Sequence, residues 1–449
     1  MTAIDEKRED GNDAYAERLA GLTAAEAQEV GRLFLSRLDA RTEAYLNACV
    51  RCGLCADTCH YHRTDGEVAS IPAHKLELLA AAYRRESTLL GRLAPGLVGA
   101  ADVTPERVRD WVDAFYGRCT LCGRCAVNCT IGIPLAILFR AGRGALAAAG
   151  LLPPELESVI TTHRETGNSM AVTREEWSET VAWLEEELHL EPGCATARLP
   201  LDEKGARILY TVNPREAKFF PLSIVAAAKV FHAVGESWTM SSEIADLTNY
   251  GLFSGEAALA GPLSAKLVAL MQELGAEELV IGECGHGFAS NRWEAPEWLG
   301  RSRFAVRSML ELYDDYLAAG RLRLDPAKNA ARVTLHDPCN LVRTGGVVAP
   351  QRRVLAAAAS DFVEMAPHGI QNFCCGGGGG QLALARYAER RIATGGVKAE
   401  QIRATGAKVV VAPCHNCIDQ LMELAKVYKL GIQAKTVGEI LADALVLGA

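Results

Sequence analysis

Cys49-Val50-Arg51-Cys52-Gly53-Leu54-Cys55-Ala56-Asp57-Thr58-Cys59 is matched, cysteine for cysteine, by Cys119-Thr120-Leu121-Cys122-Gly123-Arg124-Cys125-Ala126-Val127-Asn128-Cys129. The spacing Cys-x2-Cys-x2-Cys-x3-Cys wraps three thiolates around one cubane 4Fe–4S cluster. It turns the fourth, at the start of a helix, towards a second cluster. This assigns Cys49, Cys52, Cys55 and Cys129 to one cubane, and Cys119, Cys122, Cys125 and Cys59 to the other. Gly53 and Gly123 let the loop backbone approach the sulfides. Structural zinc is the competing reading. Zinc needs only four Cys or His ligands, whereas here a four-cysteine run occurs twice.

Two-cluster ferredoxins usually place proline after the fourth cysteine; His60 and Thr130 stand there instead. His60 and His62 either tune a cluster by hydrogen bonding or simply lie at the surface. Helical sequence at 74–86 and 105–116 separates the runs. The expectation is a helical two-cluster domain over 46–145. A helical packing arm (1–45, with Leu33, Phe34, Leu38 and Tyr45 in register) precedes it. A connector follows over 146–203, containing Pro153-Pro154 and an acidic helix at 177–190 that ends at Pro192-Gly193.

The chain has 449 residues, enough for two or three domains. Apolar residues make up 49% and charged residues 23%, which excludes disorder as a description of the whole. A net charge of −8 argues against a nucleic-acid binder. There is no apolar run of 18 residues to span a membrane, and the first ten residues lack a signal core. A cytoplasmic protein is therefore expected, and its 15 grouped cysteines point to metal or redox chemistry rather than disulfides.

From residue 206 the texture changes. Short β-rich runs at 208–212, 237–240 and 279–281 alternate with helices near 224–233 and 264–274. The order recurs with strands at 333–335, 362–365 and 409–412 and helices near 354–359 and 382–404. Alternation of this kind implies parallel α/β layers. The two halves read as a duplication, 204–330 and 331–449. Residues 206–213 align with 331–339, 279–284 with 409–414, and Met240-Ser241-Ser242-Glu243 with Phe373-Cys374-Cys375-Gly376.

The second half ends its strands in His336-Asp337-Pro338-Cys339, in Cys374-Cys375-Gly376, and in Pro413-Cys414-His415-Asn416-Cys417. Neighbouring parallel strands deliver their carboxyl ends to one crevice, so five thiolates meet there. Five exceeds what one zinc ion or one cubane needs. The run Gly376–Gly380, Gly377 included, leaves room beside a bulky inorganic centre.

This pattern resembles the cysteine-rich CCG domain of heterodisulfide reductases. From about residue 41 onwards the chain resembles the D-type subunit, a helical two-cluster ferredoxin-like domain fused to a duplicated α/β CCG domain with parallel sheets. The resemblance implies a non-cubane 4Fe–4S cluster on Cys339, Cys374, Cys375, Cys414 and Cys417, where disulfide chemistry occurs. The first copy departs from the family: Asn213, Ser241, Ser242 and Gly287 stand at four cysteine positions and only Cys284 survives. One non-cubane cluster is therefore expected, not two.

That asymmetry, with Glu283-Cys284-Gly285-His286 and the opening Cys-Val-Arg-Cys run, resembles the cytoplasmic iron–sulfur subunits of membrane redox complexes in sulfur-metabolising bacteria. The sulfite-reductase-associated, transmembrane-cytochrome and high-molecular-weight cytochrome complexes contain such subunits. The resemblance implies quinone-interacting or cytochrome partner subunits, and a small thiol/disulfide sulfur-carrier protein as substrate. It places the chain peripherally on the cytoplasmic face of the membrane. Cys284 is read as an extra thiol contact and His286 as a proton donor, or both as buried remnants. His336 and His415 flank presumed ligands and either donate protons or orient those ligands. Cys194 is read as structural. The main rival is a pure electron relay resembling the iron–sulfur subunits of glycolate and glycerol-3-phosphate dehydrogenases; the other is a zinc scaffold. No phosphate loop is found.

Overall fold

A computed structural model describes residues 13–296 and 304–447; the first twelve residues of the expected arm lie outside them. The chain forms two compact units that interleave in sequence. The first takes 1–158, 250–257 and 376–397, and the second takes 159–249, 258–375 and 398–449.

The first unit is helical. Ala24–Leu35 starts at a capping box in which the Thr23 hydroxyl accepts from the Glu26 amide and the Glu26 carboxylate accepts from the Thr23 amide. Pro105–Val112 starts with Thr104 as cap and proline at its first position, where no amide is needed. The helix expected over 105–116 then widens into a π-turn at Asp113–Gly117. Pro72–Ser87 and Leu135–Ala148 complete the frame. Their inward faces meet in a chain of rings: Phe34 edge-on to Trp111 at 5.5 Å, Trp111 to Phe115 at 6.0 Å, and Phe115 stacked on Phe139 at 5.6 Å. Each buried ring contributes about 1.5–3 kcal/mol.

The second unit holds two four-stranded parallel sheets of identical order. The first contains β1 (Ile208–Thr211), β2 (Trp238–Thr239), β3 (Glu278–Ile281) and β4 (Ala305–Ser308), ordered β2-β1-β3-β4. The second contains β5 (Val333–Leu335), β6 (Phe362–Glu364), β7 (Val409–Val411) and β8 (Gln433–Lys435), ordered β6-β5-β7-β8. Central strands such as Val409-Val410-Val411 are buried on both faces, as parallel sheets require. In each sheet the order reverses between the two central strands, which opens a crevice at their carboxyl ends.

One apolar core joins both sheets, from Ile208 and Val280 to Val333 and Val411. It also takes Trp177, Leu184 and Leu188 from the helix Arg174–Leu190, and Cys194 is fully buried in it. The stretch read as a connector thus supplies part of this core. The edge strands β4 and β8 were not expected from sequence. The helix expected from 382 begins only at Ala388, after a short turn at Ala385–Tyr387. Among the described residues no helix is long and apolar enough to cross a membrane.

Candidate metal centres

The first unit contains two cysteine-lined cavities, and each draws on both motifs. One is lined by Cys49, Cys52 and Cys55 together with Cys129. The other is lined by Cys119, Cys122 and Cys125 together with Cys59. The two loops share one backbone path. Arg51 and Leu121 both adopt φ 54, and Gly53 (φ 84) and Gly123 (φ 73) each cap a short helix from the left-handed region. Such a path costs a side chain about 1 kcal/mol or more and glycine almost nothing. The Leu121 amide donates to Cys119 Sγ at 3.4 Å.

Burial pushes the Cys55 thiol up, and Cys49 and Cys52 add to that. Burial drives Cys125 well above its ordinary value, with further contributions from Cys122, Cys119 and Cys59. Four mutually repelling sulfurs in one cavity form a donor set that a multivalent cation relieves. A 4Fe–4S cluster fits both cavities on that ground. The surroundings differ. Cys52 is exposed, with Val50, Leu54 and Ile131 exposed around it. His60 lines the second cavity, nearly fully buried, and its Nε2 lacks a hydrogen-bond partner. His62 instead sits at the surface with Nδ1 3.1 Å from the Glu67 carbonyl.

In the second unit the carboxyl ends of β5 and β7 deliver His336–Cys339 and Cys414–Cys417. Cys414 caps the helix His415–Val427, and Cys417 lies in its first turn. Cys375 Sγ is 3.6 Å from Cys417 Sγ. One ring nitrogen of His336 lies within 4.8 Å of both sulfurs, and neither nitrogen of this fully buried ring has a hydrogen-bond partner. Orphaned imidazole and clustered buried sulfur again fit a metal centre. Hydrogen bonds from Cys374 and Cys417 hold the Cys375 thiol well below its ordinary range. Burial, seconded by Lys398, keeps His336 below its ordinary value and hence neutral.

The loop bearing Cys374 and Cys375 is clamped by residues that sequence reasoning missed. Asn372 Nδ2 donates to the Asp337 carbonyl at 2.5 Å, and Lys398 Nζ donates to Asn372 Oδ1 at 2.7 Å. Arg352 grips the Asp337 carboxylate with two bonds, at 2.8 and 2.7 Å. Burial would raise that carboxyl, but Arg352 holds it below its ordinary value. Lys398 is fully buried and pushed down to about 8 by burial. Asp337 had a signal, its place in His-Asp-Pro-Cys. Lys398 had none, being one lysine in a polar helix.

His415 is buried but turned aside: Nε2 lies 3.2 Å from Ser223 Oγ, Nδ1 lies 3.5 Å from Glu216, and burial takes it down to about 3. His286 Nε2 lies 3.0 Å from the Asn249 carbonyl. Cys284 sits at the end of β3, accepting from the Gly287 amide at 3.3 Å and from Asn213 Nδ2 at 3.6 Å. Burial, then the charge of Cys414, pushes its thiol up to about 12. Asn213 Nδ2 also reaches Thr248 Oγ1 at 2.6 Å. Leu247 fills the remaining space, its Cδ1 only 2.1 Å from where a side chain at Gly287 would begin. Gly376 (φ 101) turns the chain directly after Cys375. The close approach in the glycine run comes three residues later within the first unit, where a Cβ on Gly379 would lie 2.4 Å from the Thr120 carbonyl.

The paired cysteine loops and the cysteine crevice at a sheet switch point each fall within a recognisable iron–sulfur domain. Residues 45–133 match the 4Fe-4S dicluster domain, and residues 333–422 match the cysteine-rich CCG domain. The chain is 26% identical over 450 residues to the Hdr-like menaquinol oxidoreductase iron-sulfur subunit 2 of Archaeoglobus fulgidus, covering 90% of this chain and 80% of that one. It is 25% identical over 407 residues to the D-type subunit of the dihydromethanophenazine:CoB–CoM heterodisulfide reductase of Methanosarcina barkeri, covering 89% and 94%. The EtfAB:quinone oxidoreductase of Syntrophomonas wolfei matches at 24% over 424 residues, covering 85% of this chain and 55% of that protein. The chain is thus similar along most of its length to these iron–sulfur proteins, and shares with them the dicluster and CCG domains.

Proposed function

We propose that this chain is the iron–sulfur subunit of a membrane-associated redox complex that exchanges electrons between a quinone or cytochrome partner and a thiol/disulfide carrier of sulfur metabolism. In this reading the crossed cysteine sets hold two cubanes. Cys339, Cys374, Cys375, Cys414 and Cys417 hold a non-cubane cluster. The observation that carries it is the convergence of Cys375, Cys417 and an orphaned His336 at the mouth of the β5–β7 crevice. The names of the relatives, a menaquinol oxidoreductase and a heterodisulfide reductase, support the same two ends of the path. Docking on partner subunits at the cytoplasmic face belongs to this proposal.

When bound, the clusters supply one-electron transfer and an iron that a substrate sulfur can reach. The chain's own residues supply the rest. Reducing a disulfide to two thiols takes two electrons and two protons. His336, neutral and beside Cys375, is the group placed to relay a proton to a departing thiolate, taking one up at one ring nitrogen as it releases one at the other. Cys284, its thiol pushed up by burial and by the charge of Cys414, keeps its proton and offers a sulfur contact at the site's edge. His286 and His415, engaged with Asn249, Ser223 and Glu216, act as orienting groups in this proposal.

The test is the EPR spectrum of anaerobically purified, oxidised protein with and without a thiol or persulfide carrier. A new paramagnetic signal that responds to the sulfur compound supports the proposal. Cubane signals alone, indifferent to thiols, favour an electron relay, the reading that the EtfAB:quinone oxidoreductase match supports.

A further inference from the structure

The two cubane cavities differ in how their cations are buried and paired. Among the described residues the only charged one lining the first is Arg51, whose side chain is 64% exposed and pairs with Glu77 at 2.9 Å. Beside the second lie two cations with almost no exposure, Lys75 at 1% and Arg143 at 0%. Lys75 Nζ donates to the Arg118 carbonyl and sits 5.4 Å from the Tyr61 ring centre. Arg143 donates to the carbonyls of Cys119 (2.7 Å), Phe115 (2.9 Å), Phe253 (2.8 Å) and Gly379 (2.7 Å), and stacks 4.8 Å from the Tyr116 ring. Every hydrogen bond described for these two cations goes to a backbone carbonyl, so neither charge is cancelled by a carboxylate there. Arg118, by contrast, is neutralised by Asp65, Glu67 and Asp113 at 3.1, 2.6 and 2.5 Å. Both buried cations reach the backbone at a ligand cysteine: Lys75 bonds the carbonyl just before Cys119, and Arg143 bonds that of Cys119 itself.

We propose that Lys75 and Arg143 are positioning charges that make the second cubane site (Cys119, Cys122, Cys125, Cys59) the higher-potential of the two, so that electrons entering at exposed Cys52 run inward. This rests on the reading that both cavities hold cubanes. A reduced cluster carries one more negative charge. Water screens that charge at the exposed site, and burial alone would make the inner site harder to reduce. Two uncancelled cations in a water-poor interior reverse the sign, because Coulomb attraction there is several-fold stronger than in water. The step is a bare electron transfer: the first centre is oxidised by one electron, the second is reduced by one, and no bond or proton moves. Arg143 adds a second role. Through the Gly379 carbonyl it holds the chain four residues on from Cys375, which belongs with the first unit.

The test is an EPR-monitored redox titration of the whole, cluster-loaded protein, with iron and sulfide counted in every sample. In the native protein the cubane lost in Cys122→Ser should be the one that reduces first. Lys75→Met should lower the potential of that centre alone, by at least a tenfold fall in its reduced-to-oxidised ratio (about 59 mV for a one-electron couple), and Lys75→Arg should restore most of it. Arg143→Gln should do the same, with Arg143→Lys intermediate. Two cubanes present with the outer one reducing first, or an inner potential unmoved in Lys75→Met, would overturn the inference. A metal count showing no cubane in the second cavity of the native protein would instead overturn the reading beneath it.

Discussion

The two halves of the α/β unit share a strand order, a parallel register and a crevice at the same switch point, yet only one carries the five thiols. In the second half, β5 and β7 deliver Cys339, Cys414 and Cys417 to a crevice that Cys374 and Cys375 complete. In the first half, the matching strand ends deliver Asn213 and Cys284, and the space is taken up by Leu247, Thr248 and the capped helix Pro214–Phe219. Topology thus provides the place for a cluster, and a handful of side chains decides whether the place is filled by metal or by protein. The first half still serves the second. The Gly285 amide donates to Cys414, and the Ser223 hydroxyl lies 3.2 Å from His415 Nε2.

The sharpest way to break this comparison is to remove one sulfur from each half. Cys375→Ser should eliminate the C-terminal cluster, leave about two thirds of the iron, and abolish the thiol-sensitive EPR signal while both cubane signals remain. Cys284→Ser should leave the iron content unchanged. Equal iron loss in both variants would show that the first half also holds metal. The next largest effect concerns the filler. Leu247 is 1% exposed, and Leu247→Ala should cost about 2–4 kcal/mol of stability in urea unfolding through the cavity it opens, with no loss of iron. A cost under about 1 kcal/mol would mean that the old cluster space is not packed.

A smaller effect lies in the seam between the halves. The Glu283 carboxylate accepts from the amides of Val437 and Gly438 at 2.9 and 2.5 Å, and burial pushes it up to about 8. A raised native value means that the folded chain binds the proton more tightly than the unfolded one. Its stabilisation is therefore complete below the unfolded value near 4.5 and is lost as the pH rises to about 8. Glu216 follows the same course for the same reason. The contribution of these two carboxyls to the unfolding free energy should therefore fall between pH 5 and pH 8, and Glu283→Gln should remove about half of that contribution's slope, up to about 1 kcal/mol per pH unit. An unchanged slope would show that Glu283 is ionised in the native state.

Much of this arrangement was legible in the residues. Cysteine spacing is local, so the crossed sets could be read before any contact was known, and the strand runs at 208, 279, 333 and 409 announce themselves as apolar and β-branched. The misses share a cause. Ala305-Val306-Arg307-Ser308 and Gln433-Ala434-Lys435 are edge strands, half exposed and too polar to show a buried run. Residues 382–387 look helical in composition but lie in turns just before the helix starts at Ala388. Lys75, Arg143 and Lys398 resemble any other surface cation until packing encloses them, because burial of a charge is decided by partners dozens of residues away. For the same reason nothing local reveals that 376–397 packs with the first unit. There Gln381 Nε2 donates to the Tyr116 carbonyl, and Arg386 pairs with Glu155 at 3.0 Å.

The smallest effect tests what closes the crevice of the first half. Asn213 and Thr248 are 3% and 2% exposed, and a 2.6 Å side-chain bond joins them in the filled crevice. If this pair is the polar substitute for a lost cluster, Thr248→Val deletes one buried bond and keeps the shape. Asn213 Nδ2 keeps only the weak contact to Cys284 Sγ at 3.6 Å, so the cost should be about 1–2 kcal/mol. Iron content should not change. Asn213→Ala in the same background should then cost less than it does alone, since the two residues form one interaction. Additive costs would show that Asn213 acts instead through its capping box with Glu216. In that case the crevice was closed by the capped helix rather than by the polar pair.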